Sequence, residues 1–457
     1  MNTETFATDT ATLNPKIAFV SLGCDKNLVD SEVMLGLMDK EGYQLVDEDQ
    51  ADTVVINTCG FIMDATNEGI QHILRLSDDK KEGRIQSLIV TGCMAQRYQK
   101  EIFKELPEVD AVIGTTQFQN LPKVLKEVKA GNQIAYLADR NTPMPEELFM
   151  LRKPTNQHFA YLKISEGCDQ NCTYCTIPSI RGTHRSRTKE SLVEEATLLA
   201  QKGARELIIV AQDSTHYGTD LYGYNALHEL LAELSKVEGV RWLRILYAYP
   251  EHITDETITE MATNPKVLPY LDIPIQHSHD AILKTMGRRM TNARLREIIT
   301  KLRERVPNMA IRTTVIVGFP GEEEIHFMNL LTFIEEMRFD RLGVFSYSQE
   351  ENTPAAKLPN QVDEDIKQFR KSLVMETQEK VSKQILQDQV GQTLEALVEK
   401  KYGTNSYLAR TYMDCYDIDG HVNFDYEGEL KVGDFVNVKI THSLDHDLAG
   451  QVLSVIN

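Results

Sequence analysis

The stretch SEGCDQNCTYC, residues 165–175, places three cysteines on one short segment, at Cys168, Cys172 and Cys175. Three thiolates can hold three irons of a cubane iron–sulfur cluster and leave the fourth iron without a protein ligand. Because an open iron can bind a small molecule, this spacing favours a catalytic cluster. Two other interpretations stay open on spacing alone: a zinc knuckle completed by His184, and a set of buried thiols.

The cysteine segment follows the first of several short apolar runs, which recur with helical patterns between them. Such an alternation over about 200 residues is typical of an α/β fold, here a partial, TIM-like barrel of parallel strands. Chemistry in these folds lies at the C-terminal ends of the strands, where we expect residues 168–175. The later apolar runs are at residues 207–210, 243–246, 271–273, 314–317 and 342–345.

A second set of three cysteines is spread over the N-terminal part of the chain. Cys24, Cys59 and Cys93 each end a short apolar run rich in β-branched residues, which indicates a buried parallel strand. Residues 31–40 and 65–76 are predicted to be helices, so each separation is one strand–helix unit. Parallel strands end at one edge of a sheet, and we therefore expect the three thiols to converge. Three buried cysteines that only fill space are the alternative.

Two changes in sequence character divide the chain into domains. Residues 138–157 contain Pro143, Pro145 and Pro154 and show little periodicity, which predicts a linker. From residue 389 onward, short alternating runs are separated by glycine and aspartate turns, a pattern typical of a small antiparallel β-barrel. The predicted domains are an N-terminal, Rossmann-like parallel α/β domain at 14–140, the partial barrel at 154–385 and the small β-barrel at 389–457.

Composition and charge exclude several classes of protein. Seven cysteines in 457 residues are too few and too clustered for a secreted disulfide framework, so metal ligation is the better use. The first sixteen residues lack an apolar segment, and no run approaches the roughly 18 apolar residues of a membrane span. We therefore expect a cytoplasmic protein. A formal charge of −19 argues against binding nucleic acid mainly through its phosphates, and the terminal segment 389–457 is itself acidic.

The two cysteine sets, taken with their neighbouring residues, resemble a known family. The chain is similar to methylthiotransferases of the radical S-adenosylmethionine (SAM) superfamily, in the branch that modifies ribosomal protein S twelve. Asp25 stands where family members commonly have proline, which bears on the shape of that loop and leaves every thiol in place. The resemblance implies a radical SAM domain as the partial barrel and a TRAM domain as the terminal barrel. It is carried by SLGCDKNLVDSE at 21–32, NTCGFI at 57–62, VTGC at 90–93 and LDIPIQH at 271–277.

The resemblance also implies cofactors and a reaction. It implies two 4Fe-4S clusters, one at each cysteine set, with SAM at the cluster of residues 168–175. One SAM would donate a methyl group to sulfur held at the other cluster. A second SAM would give the radical that removes hydrogen from the β-carbon of an aspartate in ribosomal protein S twelve. General acid and base residues are not identified. The implied cluster ligands are Cys24, Cys59, Cys93, Cys168, Cys172 and Cys175, and the implied SAM contacts are Tyr174, Gln212, Asp213, Gly318 and Gly321.

The resemblance further implies partners, and it leaves two rivals. The partners are ribosomal protein S twelve, free or within the small ribosomal subunit, and a low-potential electron donor such as flavodoxin or ferredoxin. A monomer without membrane contact is expected. The nearest rival is a tRNA-adenosine methylthiotransferase, for which a basic terminal barrel would be expected. The other rival is a non-enzymatic iron–sulfur protein that binds ribosomes as an assembly factor or redox sensor.

Overall fold

The computed structural model describes residues 15–456. These residues form two compact units, of which the first ends at Lys153 and the second begins at Pro154. The boundary lies inside the predicted linker, where residues 146–151 form a short 3-10 helix. The domain limits drawn from the sequence remain predictions, and α14 (Glu364–Asp388) runs across the limit placed at residue 385.

The first unit is a parallel α/β sheet of six strands in the order β2-β1-β3-β4-β5-β6. Its central strands are TVVINT and SLIVTG, in which every residue is buried, because helices cover both faces of a parallel sheet. The strands are β1 (Lys16–Ser21), β2 (Gln44–Leu45), β3 (Thr53–Thr58), β4 (Ser87–Gly92), β5 (Ala111–Ile113) and β6 (Ile134–Tyr136). The helices are α1 (Asp25–Lys40), α2 (Met63–Lys81), α3 (Cys93–Tyr98), α4 (Glu101–Glu105) and α5 (Leu121–Lys129).

The second unit begins with six parallel strands in the order β14-β13-β12-β11-β10-β7. Its edges, β7 and β14, do not pair with each other in the described chain, so this is an open partial barrel, as predicted. The strands are β7 (Phe159–Lys163), β10 (Glu206–Val210), β11 (Trp242–Ile245), β12 (Val267–Gln276), β13 (Ala310–Val317) and β14 (Arg341–Ser346), and β8 (Ser165–Glu166) pairs separately with β9 (Arg185–Ser186). The helices are α6 (Ile177–Arg181), α7 (Lys189–Gln201), α8 (Thr219–Tyr222), α9 (Leu227–Leu234), α10 (Asp255–Thr263), α11 (Asp280–Thr285), α12 (Asn292–Arg305), α13 (Glu324–Met337) and α14.

The chain ends in a closed five-stranded barrel, with the order β15-β16-β17-β19-β18. Four of its pairings are antiparallel, as the alternating sequence predicts, and β17 pairs with β19 in parallel, which closes the barrel. A parallel pairing between strands that are distant in sequence cannot be predicted from the local alternation of apolar and polar residues. The strands are β15 (Thr393–Tyr402), β16 (Ser406–Thr411), β17 (Val422–Asp425), β18 (Phe435–Ser443) and β19 (Leu448–Ile456).

The terminal barrel contacts the partial barrel at the N-terminal ends of its strands. Glu206, the first residue of β10, accepts hydrogen bonds from Arg244 Nε of β11 at 2.6 Å and from Arg410 Nη2 of β16. Arg244 also donates to the carbonyl of Tyr412 at 2.7 Å. The two arginines and Glu206 are fully buried. The terminal barrel therefore lies at the opposite end of the sheet from the cysteine segment, which follows the C-terminal end of β7. None of the described helices is long and apolar enough to cross a membrane.

Candidate active site

The cysteine loop, residues 167–175, begins at a glycine that no other residue could replace without strain. Gly167 has φ +79°, and a Cβ there would lie 2.0 Å from the carbonyl oxygen of Thr183. Backbone N–H groups are directed at two of the sulfurs: Gln170 N lies 3.4 Å from Cys168 Sγ, and Ile177 N lies 3.4 Å from Cys175 Sγ. No disulfide joins any cysteine within residues 15–456. The loop therefore presents three thiols, two of which already accept N–H···S bonds of the kind that iron–sulfur loops make.

Residues 285–288, the last residue of α11 and the three after it, hold the middle of the cysteine loop. Thr173 donates through its backbone N–H to the Met286 carbonyl and through its hydroxyl to the Thr285 carbonyl, both at 2.9 Å. Gly287 has φ +75°, and a Cβ there would lie 2.7 Å from the carbonyl oxygen of Asn171. The loop around Cys172 is thus fixed by contacts with a segment far along the chain.

The Cys172 sulfur has a polar partner that the sequence did not reveal. Tyr249, after β11, places its hydroxyl 3.1 Å from Cys172 Sγ. The Arg288 guanidinium stacks on the Tyr249 ring at 3.7 Å and donates to the Pro274 carbonyl at 2.9 Å. Burial raises the pKa of Tyr249 above its usual range, so the hydroxyl stays protonated and can donate to a thiolate.

Burial also controls the protonation of the other two thiols in the loop. It raises the pKa of Cys168 to about 12, although the Gln170 N–H opposes this shift. Burial and the neighbouring Cys172 raise the pKa of Cys175 above its usual range. Both thiols are therefore protonated near neutral pH without a cation, and a bound metal must replace their protons.

The predicted SAM contacts Tyr174 and Gly318 lie on loops that meet. The Tyr174 ring contacts the Phe319 ring edge-on, with centroids 6.4 Å apart, and both belong to one apolar group with Tyr347. Gly318 has φ +71°, and a Cβ there would lie 2.2 Å from Cγ of Lys367 on α14. The approach of α14 is thus a sufficient reason for glycine at this position. At Gly321, φ is +82°, and a Cβ would have no described atom within 4 Å.

The other predicted SAM contacts, Gln212 and Asp213, follow β10 and are engaged by neighbouring side chains. Gln212 Nε2 donates to Glu166 at 2.8 Å, while Asp213 Oδ2 accepts from His252 Nδ1 at 2.8 Å. Burial alone would raise the pKa of Glu166, but the charges of Arg181 and Lys163 outweigh burial and hold that pKa well below its usual range. Glu166 therefore stays ionised, two residues before Cys168. Any SAM contact by Gln212 or Asp213 requires these hydrogen bonds to be shared or exchanged.

The three cysteines of the first unit follow neighbouring strands of one sheet, as the sequence predicts. Cys24 follows β1, Cys59 follows β3 and Cys93 follows β4, and these strands are adjacent in the order β1-β3-β4. At Gly23, φ is +87°, and a Cβ would lie 2.7 Å from the Cβ of Cys59. The loops that carry Cys24 and Cys59 therefore touch.

Asn27 connects all three of these strand ends. Its Nδ2 donates to the carbonyls of Leu22 at 3.0 Å and Thr58 at 3.1 Å, which lie just before Cys24 and Cys59. Its Oδ1 lies 3.7 Å from Cys93 Sγ. Three thiols at one sheet edge form a donor set that suits an iron–sulfur cluster with one open iron.

Comparison with known proteins decides the family. Family models match an uncharacterized protein family, UPF0004, at residues 16–114, the radical SAM superfamily at 162–334 and the TRAM domain at 390–453. The chain is 46% identical to ribosomal protein uS12 methylthiotransferase RimO of Clostridioides difficile, over 96% of this chain and 99% of that protein. It is 47% identical to the protein of the same name from Lachnoclostridium phytofermentans, over 95% of this chain and 99% of that protein. This chain belongs to the uS12 methylthiotransferase family.

Solved structures show that this uS12 methylthiotransferase family member has a radical SAM fold. The radical SAM methyltransferase TsrM from Kitasatospora setae, solved with cobalamin and a [4Fe-4S] cluster, matches with a TM-score of 0.54 at 11% identity, covering 87% of this chain and 77% of that one. The cobalamin-dependent SAM radical enzyme OxsB matches with a TM-score of 0.50 at 14% identity, covering 79% of this chain and 56% of that one. At these identities the likeness concerns the fold. Radical SAM enzymes use SAM and a [4Fe-4S] cluster, and the cysteine loop fits that cluster.

Several residues that shape this methylthiotransferase site were not found from the sequence. Glu322 accepts from the backbone N–H groups of Gly318 at 3.0 Å and Phe319 at 3.4 Å, and Arg370 of α14 donates to its other oxygen at 2.9 Å. Glu322 and Arg370 thereby hold the turn that carries both predicted glycines. The adjacent GFPG motif could have drawn attention to Glu322, whereas Arg370 has no local signal.

Proposed function

We propose that this chain is a radical SAM methylthiotransferase that adds a methylthio group to the β-carbon of an aspartate in ribosomal protein uS12. The observation that carries the proposal is the pair of cysteine sets, each at the C-terminal edge of its own parallel sheet. The family of the chain supports the same conclusion, since its relatives carry the name uS12 methylthiotransferase.

The chain supplies the ligands and surroundings of the cofactors. Cys168, Cys172 and Cys175 would hold the radical SAM cluster, and SAM bound there would supply the radical for hydrogen abstraction. The Tyr249 hydroxyl lies 3.1 Å from the Cys172 sulfur and can donate to its thiolate. The apolar group around Tyr174 excludes water from that side of the loop. The proposed SAM contacts are Tyr174, Gln212, Asp213, Gly318 and Gly321.

The second cluster is proposed at Cys24, Cys59 and Cys93. Two observations support it. The strands β1, β3 and β4 are adjacent in the sheet, and the Asn27 side chain donates to backbone carbonyls just before Cys24 and Cys59 and lies against the Cys93 thiol. Three thiol ligands leave one iron open, which suits a site that must hold and release sulfur.

The charge of the chain supports a protein substrate over tRNA. The terminal segment 389–457 has five Lys or Arg against eleven Asp or Glu, and this excess of carboxylates repels phosphates. The same surface attracts a basic ribosomal protein. Further parts of the proposal are a low-potential electron donor of the flavodoxin or ferredoxin type, a monomeric state and a cytoplasmic location. No described helix could span a membrane.

An anaerobic assay with purified uS12, SAM and dithionite tests the proposal. We expect 5′-deoxyadenosine and a uS12 peptide whose mass has gained a methylthio group on one aspartate. Cys24→Ala should still form 5′-deoxyadenosine and transfer no methylthio group, whereas Cys172→Ala should lose both. Modification of tRNA in place of uS12 would identify the tRNA-adenosine rival. If the iron-loaded chain formed no 5′-deoxyadenosine, the radical enzyme assignment would be wrong.

A further inference from the structure

Three histidines and a carboxylate gather beside the cysteine loop: Asp213 and His216 follow β10, His252 follows β11 and His184 follows α6. Asp213 is 1% exposed and accepts from His252 Nδ1 at 2.8 Å. The His216 and His252 rings stack with centroids 4.5 Å apart, and the His184 ring meets His216 edge-on at 4.8 Å. One donor atom from each of Asp213, His216 and His252 lies within 4.8 Å of the other two.

The electrostatics of this group favour a cation. Burial and the neighbouring histidine lower the pKa of His184 and of His216, so both imidazoles are neutral near pH 7 and keep a lone pair available. The carboxylates that face these two rings belong to Asp169, Asp213 and Asp220. Neutral imidazole and carboxylate are ligands that zinc and ferrous iron prefer.

The hydrogen bonding of the group is incomplete. Nδ1 of His216 and Nδ1 of His184 are buried and make no hydrogen bond with any of the residues 15–456. His184 is 5% exposed, and its other ring nitrogen lies 3.0 Å from the Ser186 hydroxyl. Buried ring nitrogens without partners are unfavourable, and a bound cation would give the His216 nitrogen a partner.

We propose that Asp213, His216 and His252 form a binding site for a divalent transition metal ion such as zinc or ferrous iron. Two histidines and one carboxylate leave at least one coordination position open for water or for the carboxylate of a small ligand. Donors about 2.1 Å from a tetrahedral zinc ion lie roughly 3.4 Å apart, and the donors here lie within 4.8 Å of one another, so the side chains must approach by up to about 1.4 Å to close around the ion.

The ion would be linked to the cysteine loop through Gln170. The Gln170 Nε2 atom lies 3.4 Å from Asp213 Oδ2 and 3.5 Å from His252 Nε2. Since Gln170 stands between Cys168 and Cys172 in the sequence, an ion at this point would fix the side chain of a residue within the loop. The proposal concerns metal binding and does not depend on the identity of the methylthio acceptor. Since Asp213 is also a proposed SAM contact, the ion and SAM would share that carboxylate.

Equilibrium dialysis of the iron-loaded chain against buffered zinc, followed by elemental analysis, tests the site. We expect one zinc ion per chain to bind without loss of iron. His216→Ala and His252→Ala should each weaken zinc binding at least tenfold while iron content stays unchanged. His279→Ala is the matched control, because that histidine packs against His326 in the same unit, with its ring tilted by 53°, and should leave zinc binding unchanged. Anomalous diffraction at the zinc edge should place the ion between the three ligands.

Two results would overturn the site. The first is equal zinc uptake by the unsubstituted chain and the double variant His216→Ala, His252→Ala. The second is zinc that enters only as iron leaves, because that zinc occupies the cysteines. His252→Gln, which keeps a hydrogen-bonding side chain opposite Asp213, distinguishes lost coordination from a disturbed fold: it should keep its iron and still lose zinc.

Discussion

Asn27 joins three strand ends through one side-chain amide. We expect Asn27→Ala to lose the iron of the second cluster, because the buried carbonyl of Thr58 loses its donor at a cost of about 1–3 kcal/mol and the half-buried carbonyl of Leu22 loses its donor as well. Asn27→Asp should be more damaging, since its carboxylate would face those carbonyl oxygens. Iron analysis should show about half of the normal iron, and 5′-deoxyadenosine formation should persist. Asn132→Ala, at an exposed site of the same unit, is the control. Full iron content in Asn27→Ala would contradict this role.

The Tyr249 hydroxyl lies 3.1 Å from the Cys172 sulfur, and hydrogen bonds to cluster sulfurs raise reduction potentials. Tyr249→Phe should lower the potential of the radical SAM cluster, measured by a redox titration followed by electron paramagnetic resonance. Arg288→Met should act in the same direction, because the guanidinium no longer polarises the Tyr249 ring. Tyr224→Phe removes a hydroxyl that donates to Glu229 instead and should leave the potential unchanged. An unchanged reduction potential in Tyr249→Phe would show that the hydroxyl does not influence the cluster.

The Cys168 thiol offers a test by pH, because burial raises its pKa to about 12. A raised thiol pKa means that the reactive thiolate is scarce at pH 8 and gains about tenfold for each pH unit up to that pKa. Alkylation of the iron-free chain by iodoacetamide, followed peptide by peptide, should therefore keep accelerating between pH 9 and pH 10. An ordinary thiol, with a pKa of about 8.5, levels off in that range. A plateau for Cys168 above pH 9 would show an ordinary thiol.

At the scale of elements, the loop after α11 acts on the cysteine loop through Gly287. Gly287→Ala adds a methyl group 2.7 Å from the Asn171 carbonyl in a left-handed backbone conformation. We expect it to displace the cysteine loop and to reduce both bound iron and 5′-deoxyadenosine at least tenfold. Gly223→Ala is the matched control: its φ is +82°, and the added Cβ meets no described atom within 4 Å. That control should cost only the backbone strain of about 1 kcal/mol. Equal iron loss in both variants would show that the loop contact is irrelevant.

The elements around the first cysteine set could be predicted because each depends on local pattern. Cys24, Cys59 and Cys93 end apolar β-branched runs one strand–helix unit apart, and parallel connection brings such ends to one edge. The contacts that hold the cysteine loop in place could not be predicted from local sequence patterns. Thr173 and Thr285 are 112 residues apart, and their hydrogen bond depends on the path of a loop after a helix. The packing of α14 against Gly318 is likewise invisible to local periodicity.

At the scale of the whole second unit, buried charges join the two barrels. Arg410→Met would leave Glu206 with one charged partner in a fully buried site, and removing one member of a buried ion pair typically costs about 3–5 kcal/mol. We expect a clear fall in the thermal midpoint of this unit, measured by calorimetry. Arg241→Met is the control, because Arg241 also joins the barrels through Glu395 but is 40% exposed, and such pairs contribute about 0–1 kcal/mol. Similar losses for both variants would show that burial of the charges is unimportant.

The terminal barrel and the cysteine loop lie at opposite ends of the parallel sheet, so a partner that binds the terminal barrel must extend along the sheet to react at the cysteine loop. β7 and its neighbour β10 have five residues each, so the sheet spans roughly 17 Å from the barrel contact at Glu206 to the start of the cysteine segment, at about 3.3 Å per residue. A partner held at the terminal barrel therefore needs at least about five extended residues between the anchoring surface and the atom that reacts at the cysteine loop. Shortening that tether, with the anchor and the reacting residue unchanged, should abolish modification without weakening attachment.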